Sequence, residues 1–188
     1  SIEIPTGVKT IGQAAFYNCN NLASVTIPNT VTSIESDAFR FTAITSLYIP
    51  ATLTTLSSSA FNDTGSLQTI VVDPENTAFD SRDNSNAIIK TSTNALWQGC
   101  MNTTIPTTVK TIVSYSFSNL PGLTQLYIPA NVKLIYTSVV QGSTNLERVE
   151  FEDTEHWFKA NTSTATSGYD LDLSDPVDNA SSFLSSWF

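Results

Sequence analysis

Ile4-Pro5-Thr6-Gly7-Val8-Lys9-Thr10-Ile11-Gly12-Gln13-Ala14-Ala15-Phe16-Tyr17-Asn18-Cys19-Asn20-Asn21-Leu22-Ala23-Ser24-Val25 decides the fold, because its apolar residues return in phase further along the chain. The Ile-Pro pair recurs at Ile27-Pro28, Ile49-Pro50, Ile105-Pro106 and Ile128-Pro129, at spacings of 23, 22, 56 and 23 residues. The long spacing is one 23-residue unit plus an insert of 33. A period in the twenties marks a stack of coils in which each unit contacts only its neighbours.

Aligned on the proline, one slot holds Val8, Val31, Leu53, Val109 and Val132, and the next holds Ile11, Ile34, Leu56, Ile112 and Ile135. A third holds Phe16, Phe39, Phe61, Phe117 and Val140. Each unit closes on Leu22, Ile44, Leu67, Leu123, Leu146 and on Val25, Leu47, Ile70, Leu126, Val149. A single copy cannot bury these side chains, so the coils are expected to stack them into one continuous core, with the phenylalanines in one column. The run Leu22 to Ile27 and its equivalents alternate like strands of a parallel sheet. Proline lacks an N–H and ends each strand. Strands are expected to finish at Ile4, Ile27, Ile49, Val72, Ile128 and Phe151, with a further one leading to Ile105. The small polar stretches before each phenylalanine, such as Glu35-Ser36-Asp37-Ala38, suit a helical or 3₁₀ turn.

The pattern Ile-Pro-x-x-Val-x-x-Ile-x-x-x-Ala-Phe-x-x-Cys-x-x-Leu-x-x-Val resembles the BspA-like leucine-rich repeats of bacterial surface proteins, over residues 2 to 151. Thr30 stands where ordinary leucine-rich repeats carry Asn, the second copy is one residue short after Phe39, and the family's Cys survives only as Cys19. The expected fold class is an α/β leucine-rich-repeat right-handed solenoid, mostly parallel β with short helical or 3₁₀ turns and a C-terminal capping strand and helix. Residues 1–151 form the five Ile-Pro units, interrupted by an enlarged coil at 73–104. In it Ala87 to Lys90 should pair with Ala95 to Gln98 as a β-hairpin around Thr91-Ser92-Thr93-Asn94. Trp97 is expected to be partly buried against the solenoid.

Residues 152–188 read as the cap. Tyr169 to Leu173 alternates like a strand, and Ser174-Asp175-Pro176 reads as a helix start before an apolar stripe of Val177, Ala180, Phe183, Leu184, Trp187 and Phe188. The chain opens on Ile2-Glu3-Ile4, the end of a strand, which reads as a cut through a repeat, with a signal peptide and earlier coils expected upstream.

The net charge of −9 argues against nucleic acid or an anionic membrane as partner, and no apolar run is long enough to span a bilayer. Residues 151 to 188 carry 7 acids against 1 base, so most of the excess sits there. Catalysis has little to stand on. His156 has no second His or Cys nearby, no nucleophile or phosphate motif occurs, and the acids scatter along coil edges. Asp170-x-Asp172-x-Ser174 opens like a calcium loop, yet Asp175 and Ser181 stand where Gly and Glu are needed. Asp80, Asp83, Asn84 and Asn86 suit turns. Cys19 and Cys100 lie more than two coils apart, too far for a disulfide, and read as buried free thiols. The Asn62, Asn102, Asn161 and Asn179 sequons read as chance in an Asn/Thr-rich chain.

No catalytic residue, metal or cofactor is therefore expected. Pleat geometry turns one ladder of side chains outward: Glu3, Thr26, Tyr48, Val71, Tyr127 and Glu150, flanked by residues including Gln125 and Arg148. Tyr48, Tyr127, Thr26, Val71, Gln125 and Arg148 are the candidate ligand-binding residues, since tyrosine is enriched at interfaces. The resemblance implies a monomeric, non-enzymatic, secreted or cell-surface module that binds an extracellular protein in adhesion. A glycan-binding module and a passive spacer are the alternatives.

Overall fold

The computed structural model describes residues 1–153 and the backbone of residues 158–160. They form a parallel-strand solenoid in which most coils contribute two short strands. The first runs up to the Ile-Pro pair: Ile2–Glu3 pairs with Val25–Thr26, Ser46–Ile49 with Thr69–Val72, and Gln125–Ile128 with Arg148–Phe151. The second follows the proline: Thr10–Ile11, Ser33–Ile34 and Thr55–Leu56 form one parallel sheet. In a six-stranded sheet Thr111–Ile112 pairs with Leu134–Tyr136, which pairs with Phe158–Ala160. Proline separates the two strands of each coil for the reason expected, because it has no N–H to donate. Val8, Val31, Leu53, Val109 and Val132 instead bond back to the proline carbonyls, closing the corner.

The stretches before the phenylalanines are not helical; among the described residues the one helical segment is the 3₁₀ turn Arg82–Asn84. The reason lies in the backbone. Ala14, Asp37, Tyr115 and Ser138 have positive φ two residues before the phenylalanine slot, and Asn18, Phe41, Asp63, Asn119 and Gly142 have it two residues after. A left-handed residue stops a right-handed helix. The released N–H groups bond between coils instead: Ala14, Phe16 and Asn18 donate to the carbonyls of Ser36, Ala38 and Arg40. Each outer turn thus forms a further line of bonds down the stack.

The insert departs most from a simple repeat. Phe79–Asp80, Ile88–Lys90 and Ala95–Gln98 form an antiparallel meander, with Ala95 opposite Lys90 and Leu96 opposite Ile89. Ala95–Gln98 then pairs in parallel with Thr111–Ile112, which splices the hairpin into the second ladder. No strand leads to Ile105, contrary to expectation. Residues 101–103 are held by other bonds: Met101 N–H to Leu67 O, Asn102 Nδ2 to Gln68 O, and Thr103 Oγ1 to Asn86 O.

The core is divided rather than continuous. One cluster includes Val31, Ile34, Phe39, Leu53, Phe61, Phe79 and Ile88; the other includes Ile89, Leu96, Val109, Ile112, Phe117, Val132 and Val149. Neighbouring residues Ile88 and Ile89 join different clusters, so alternation along one hairpin strand separates them. Phe16, Phe39 and Phe61 stack at centroid separations of 5.0 and 5.2 Å. Phe117 is fully buried but lies in the second cluster against Gly99, where a Cβ would come within 2.2 Å of its Cε1. Cys100 is buried, whereas Cys19 is exposed, contrary to the expectation for both thiols. Val8, Phe16 and Leu22, in the same coil as Cys19, are likewise only partly covered. The expected cap strand and helix, His156 and Asp170-x-Asp172-x-Ser174 lie outside the described residues.

Candidate functional site

The alternation that buries Leu47 and Ile49 turns Tyr48 outward, and the same pleat exposes Val71 and Tyr127. Their fractional exposures are 48, 43 and 50%, and they are three of the five large apolar side chains exposed among the described residues. Thr26, Gln125 and Arg148 are also exposed. Register places Tyr48 opposite Val71, Tyr127 opposite Glu150, and Gln125 opposite Arg148. The six candidates therefore share one side of the solenoid but do not form one unbroken ladder. Residues 101–105 carry no strand between Thr69–Val72 and Gln125–Ile128, and a notch of about 390 Å³ lies there, lined by Thr103, Gln125, Tyr127 and Arg148.

Two acids on this side were not among the expected residues. Asp73 and Glu152 occupy the slot that proline fills after Ile4, Ile27, Ile49, Ile105 and Ile128. Having an N–H, each extends the ladder by one bond: Asp73 to Ile49 O at 2.9 Å and Glu152 to Ile128 O at 3.0 Å. Each carboxylate meets the tyrosine of the preceding coil. Tyr48 Oη donates to Asp73 Oδ2 at 2.5 Å, and the Glu152 carboxylate, which accepts from Ala130 N–H at 2.9 Å, lies within electrostatic reach of Tyr127. The bond to Asp73 raises the pKa of Tyr48 and lowers that of Asp73, while partial desolvation and then the Glu152 charge raise that of Tyr127. Both phenols therefore stay protonated donors at neutral pH. The two sites are copies, since Leu47-Tyr48-Ile49-Pro50-Ala51 and Leu126-Tyr127-Ile128-Pro129-Ala130 are identical pentapeptides. An acid in the two coils that lack Ile-Pro was the available sequence signal.

Charge is unevenly placed around this face. Asp73 and Glu75 lie within electrostatic reach of Tyr48, and Glu150 and Glu152 within reach of Tyr127. Arg148 is ion-paired with Glu150. Among the described residues no group of three His, Cys, Asp or Glu side chains is arranged to hold a metal ion, and no helix is long and apolar enough to cross a membrane. The Asn62 side chain, in one of the sequons, is buried.

A stack of parallel coils that turns a polar, tyrosine-bearing side to solvent defines a repeat solenoid with an exposed side-chain ladder. The chain belongs to the BspA type leucine rich repeat region family, which matches in six copies over residues 1–95 and 96–181. Among solved structures it is similar to the pneumococcal vaccine antigen PcpA, at 24% identity and a TM-score of 0.70, over 79% of this chain and 38% of that one. A leucine rich cell surface protein from Faecalibacterium prausnitzii matches at 21% identity and a TM-score of 0.56, over 81% and 60% respectively. A leucine-rich repeat protein from Bacteroides ovatus matches at 20% and 0.55, over 97% and 47%. The chain thus spans between about two fifths and three fifths of these relatives' lengths, and at such identities the likeness shows the fold alone. No curated protein sequence matches the chain.

Proposed function

We propose that this chain is a non-enzymatic recognition module of a secreted or cell-surface protein, binding a protein ligand through the exposed tyrosine-bearing side in adhesion to host or neighbouring cells. The observation that carries the reading is the exposure of Tyr48, Val71 and Tyr127 on a face whose other outward residues are small or polar. Folding buries large side chains wherever it can, and tyrosine gives a binding surface apolar area and a hydroxyl at low entropic cost. Holding the Tyr48 phenol against Asp73 reduces the freedom lost on binding. Family membership and the cell-surface relative support the location.

The carboxylates around both tyrosines fit a partner whose matching surface is basic. The test is surface plasmon resonance of the monomeric chain over a panel of extracellular matrix proteins. The double variant Tyr48→Ala/Tyr127→Ala should keep the wild-type melting curve and weaken binding by about tenfold or more, as removal of aromatic anchors does. Affinity for an identified ligand that survives the double change would exclude this face.

A further inference from the structure

The insert opens a cleft on the side of the second ladder. The coils flanking it each carry an outer turn, around Ser58, Ser59 and Asn62 in one and Val113 to Tyr115 in the other. The insert coil has no such turn, because its hairpin passes from Gln98 straight into Gly99 and Cys100. The vacancy between the flanking turns is a cleft of about 790 Å³. Beyond it the two coils meet again, where Asn119 Nδ2 donates to Asp63 Oδ1 at 2.6 Å and Asp63 N–H donates to Ser118 Oγ at 3.2 Å. Its size is within the range of small-molecule binding sites.

Its lining combines aromatic rings with unspent hydrogen-bonding capacity. Trp97, Tyr115 and Tyr136 supply the rings. Trp97 is braced from within by Phe79, at a centroid distance of 5.5 Å, while Lys90 Nζ lies 4.7 Å from its ring centroid. Asn62 lines the cleft at 4% exposure, and its Oδ1 has no hydrogen-bond partner within the protein. A buried amide oxygen without a partner is costly, and native folds seldom keep one without a reason. The charged lining is small, Asp37 with Arg40 and Lys90, and Arg40 is already paired with Asp37 at 3.5 Å and with the buried Asp63 behind the cleft at 2.7 Å.

We propose that this cleft binds a neutral oligosaccharide. Sugar rings present C–H faces that pack on aromatic rings and hydroxyls that both donate and accept, and the lining of this cleft answers both. A hydroxyl donated to Asn62 Oδ1 would satisfy the orphan acceptor. A lipid or apolar peptide would leave Asn62 and the cleft serines unpaired. A polyanion would meet a protein of net charge −9. The site is separate from the tyrosine-bearing side and does not depend on the protein-ligand reading.

The test is isothermal titration calorimetry of the full chain with a panel of neutral and acidic oligosaccharides, from disaccharides to hexasaccharides. A neutral saccharide should bind, and Trp97→Ala should weaken it by about tenfold or more. Because Trp97 also packs on the core, Ser58→Arg is the second variant: Ser58 is exposed on the cleft wall, so a long side chain there should block the cleft while leaving the melting temperature unchanged. Tyr48→Ala/Tyr127→Ala should bind the saccharide as the wild type does. No heat with any saccharide at millimolar concentration overturns the proposal, as does binding that survives Ser58→Arg. Selective binding of acidic saccharides would overturn the ligand class.

Discussion

At the residue scale, burial depends on how many neighbours a coil has. Phe39 lies between the rings of Phe16 and Phe61 and has no exposed surface. Truncating Phe39→Ala should cost about 3–5 kcal/mol, read as a lower denaturant midpoint. Phe16 is only partly buried, so Phe16→Ala should cost clearly less. The cysteines divide in the same way. Burial pushes the Cys100 thiol pKa up and holds it neutral, whereas Cys19 faces solvent. In the native protein an aromatic disulfide reagent should titrate one thiol rapidly and the second only on unfolding, and Cys19→Ser should remove the fast phase. Cys19 stands in phase with the apolar slots, so its sequence position did not show the exposure that the structure gives it.

At the element scale, one contact seats the insert on the coil that follows it and another joins the two coils on either side of it. Gly99 lets the Phe117 ring lie directly over the backbone, so Gly99→Ala forces the ring or the strand to move and should cost roughly 1–3 kcal/mol. Asp63 joins Arg40 Nε and Asn119 Nδ2, at 2.7 and 2.6 Å, and is itself buried. Replacing Asp63 with Ala should cost roughly 1.5–3 kcal/mol, the worth of hydrogen bonds to a charged group, and should speed amide exchange at Asn119. The hairpin was legible before the structure because its two apolar runs flank a polar four-residue link. The absence of a strand before Ile105 was not legible. That segment satisfies its backbone and side-chain groups on Leu67, Gln68 and Asn86, residues distant in sequence.

At the scale of the whole molecule, the divided core predicts divided stability. Coils in a solenoid gain stability from their immediate neighbours. In Phe39→Ala, hydrogen exchange should therefore accelerate at Val31, Phe39 and Leu53 while Val109, Phe117 and Val132 keep more of their protection. Uniform loss of protection across both clusters would mean that the hairpin transmits stability between them. Two faces also follow from the architecture: a tyrosine and carboxylate side along the first ladder, and a cleft beside the second where the insert omits an outer turn.

The sequence by itself determined the solenoid, the phase of its buried slots, the strands before Pro5, Pro28, Pro50 and Pro129, the insert hairpin and the outward placement of Tyr48 and Tyr127. These depend on period and pleat, which are local properties of the chain. Tertiary structure alone decided the left-handed residues that flank the phenylalanine slots, in pairs in every coil but that of Phe61, since Ala14, Phe41 and Tyr115 are not residues that advertise positive φ. It also decided the split of the core, the pairing of Tyr48 with Asp73 one coil on, and the cleft at Trp97. Each of these depends on which coil lies against which, and across an insert of 33 residues the contact between Asp63 and Asn119 exists only once the chain has closed around it.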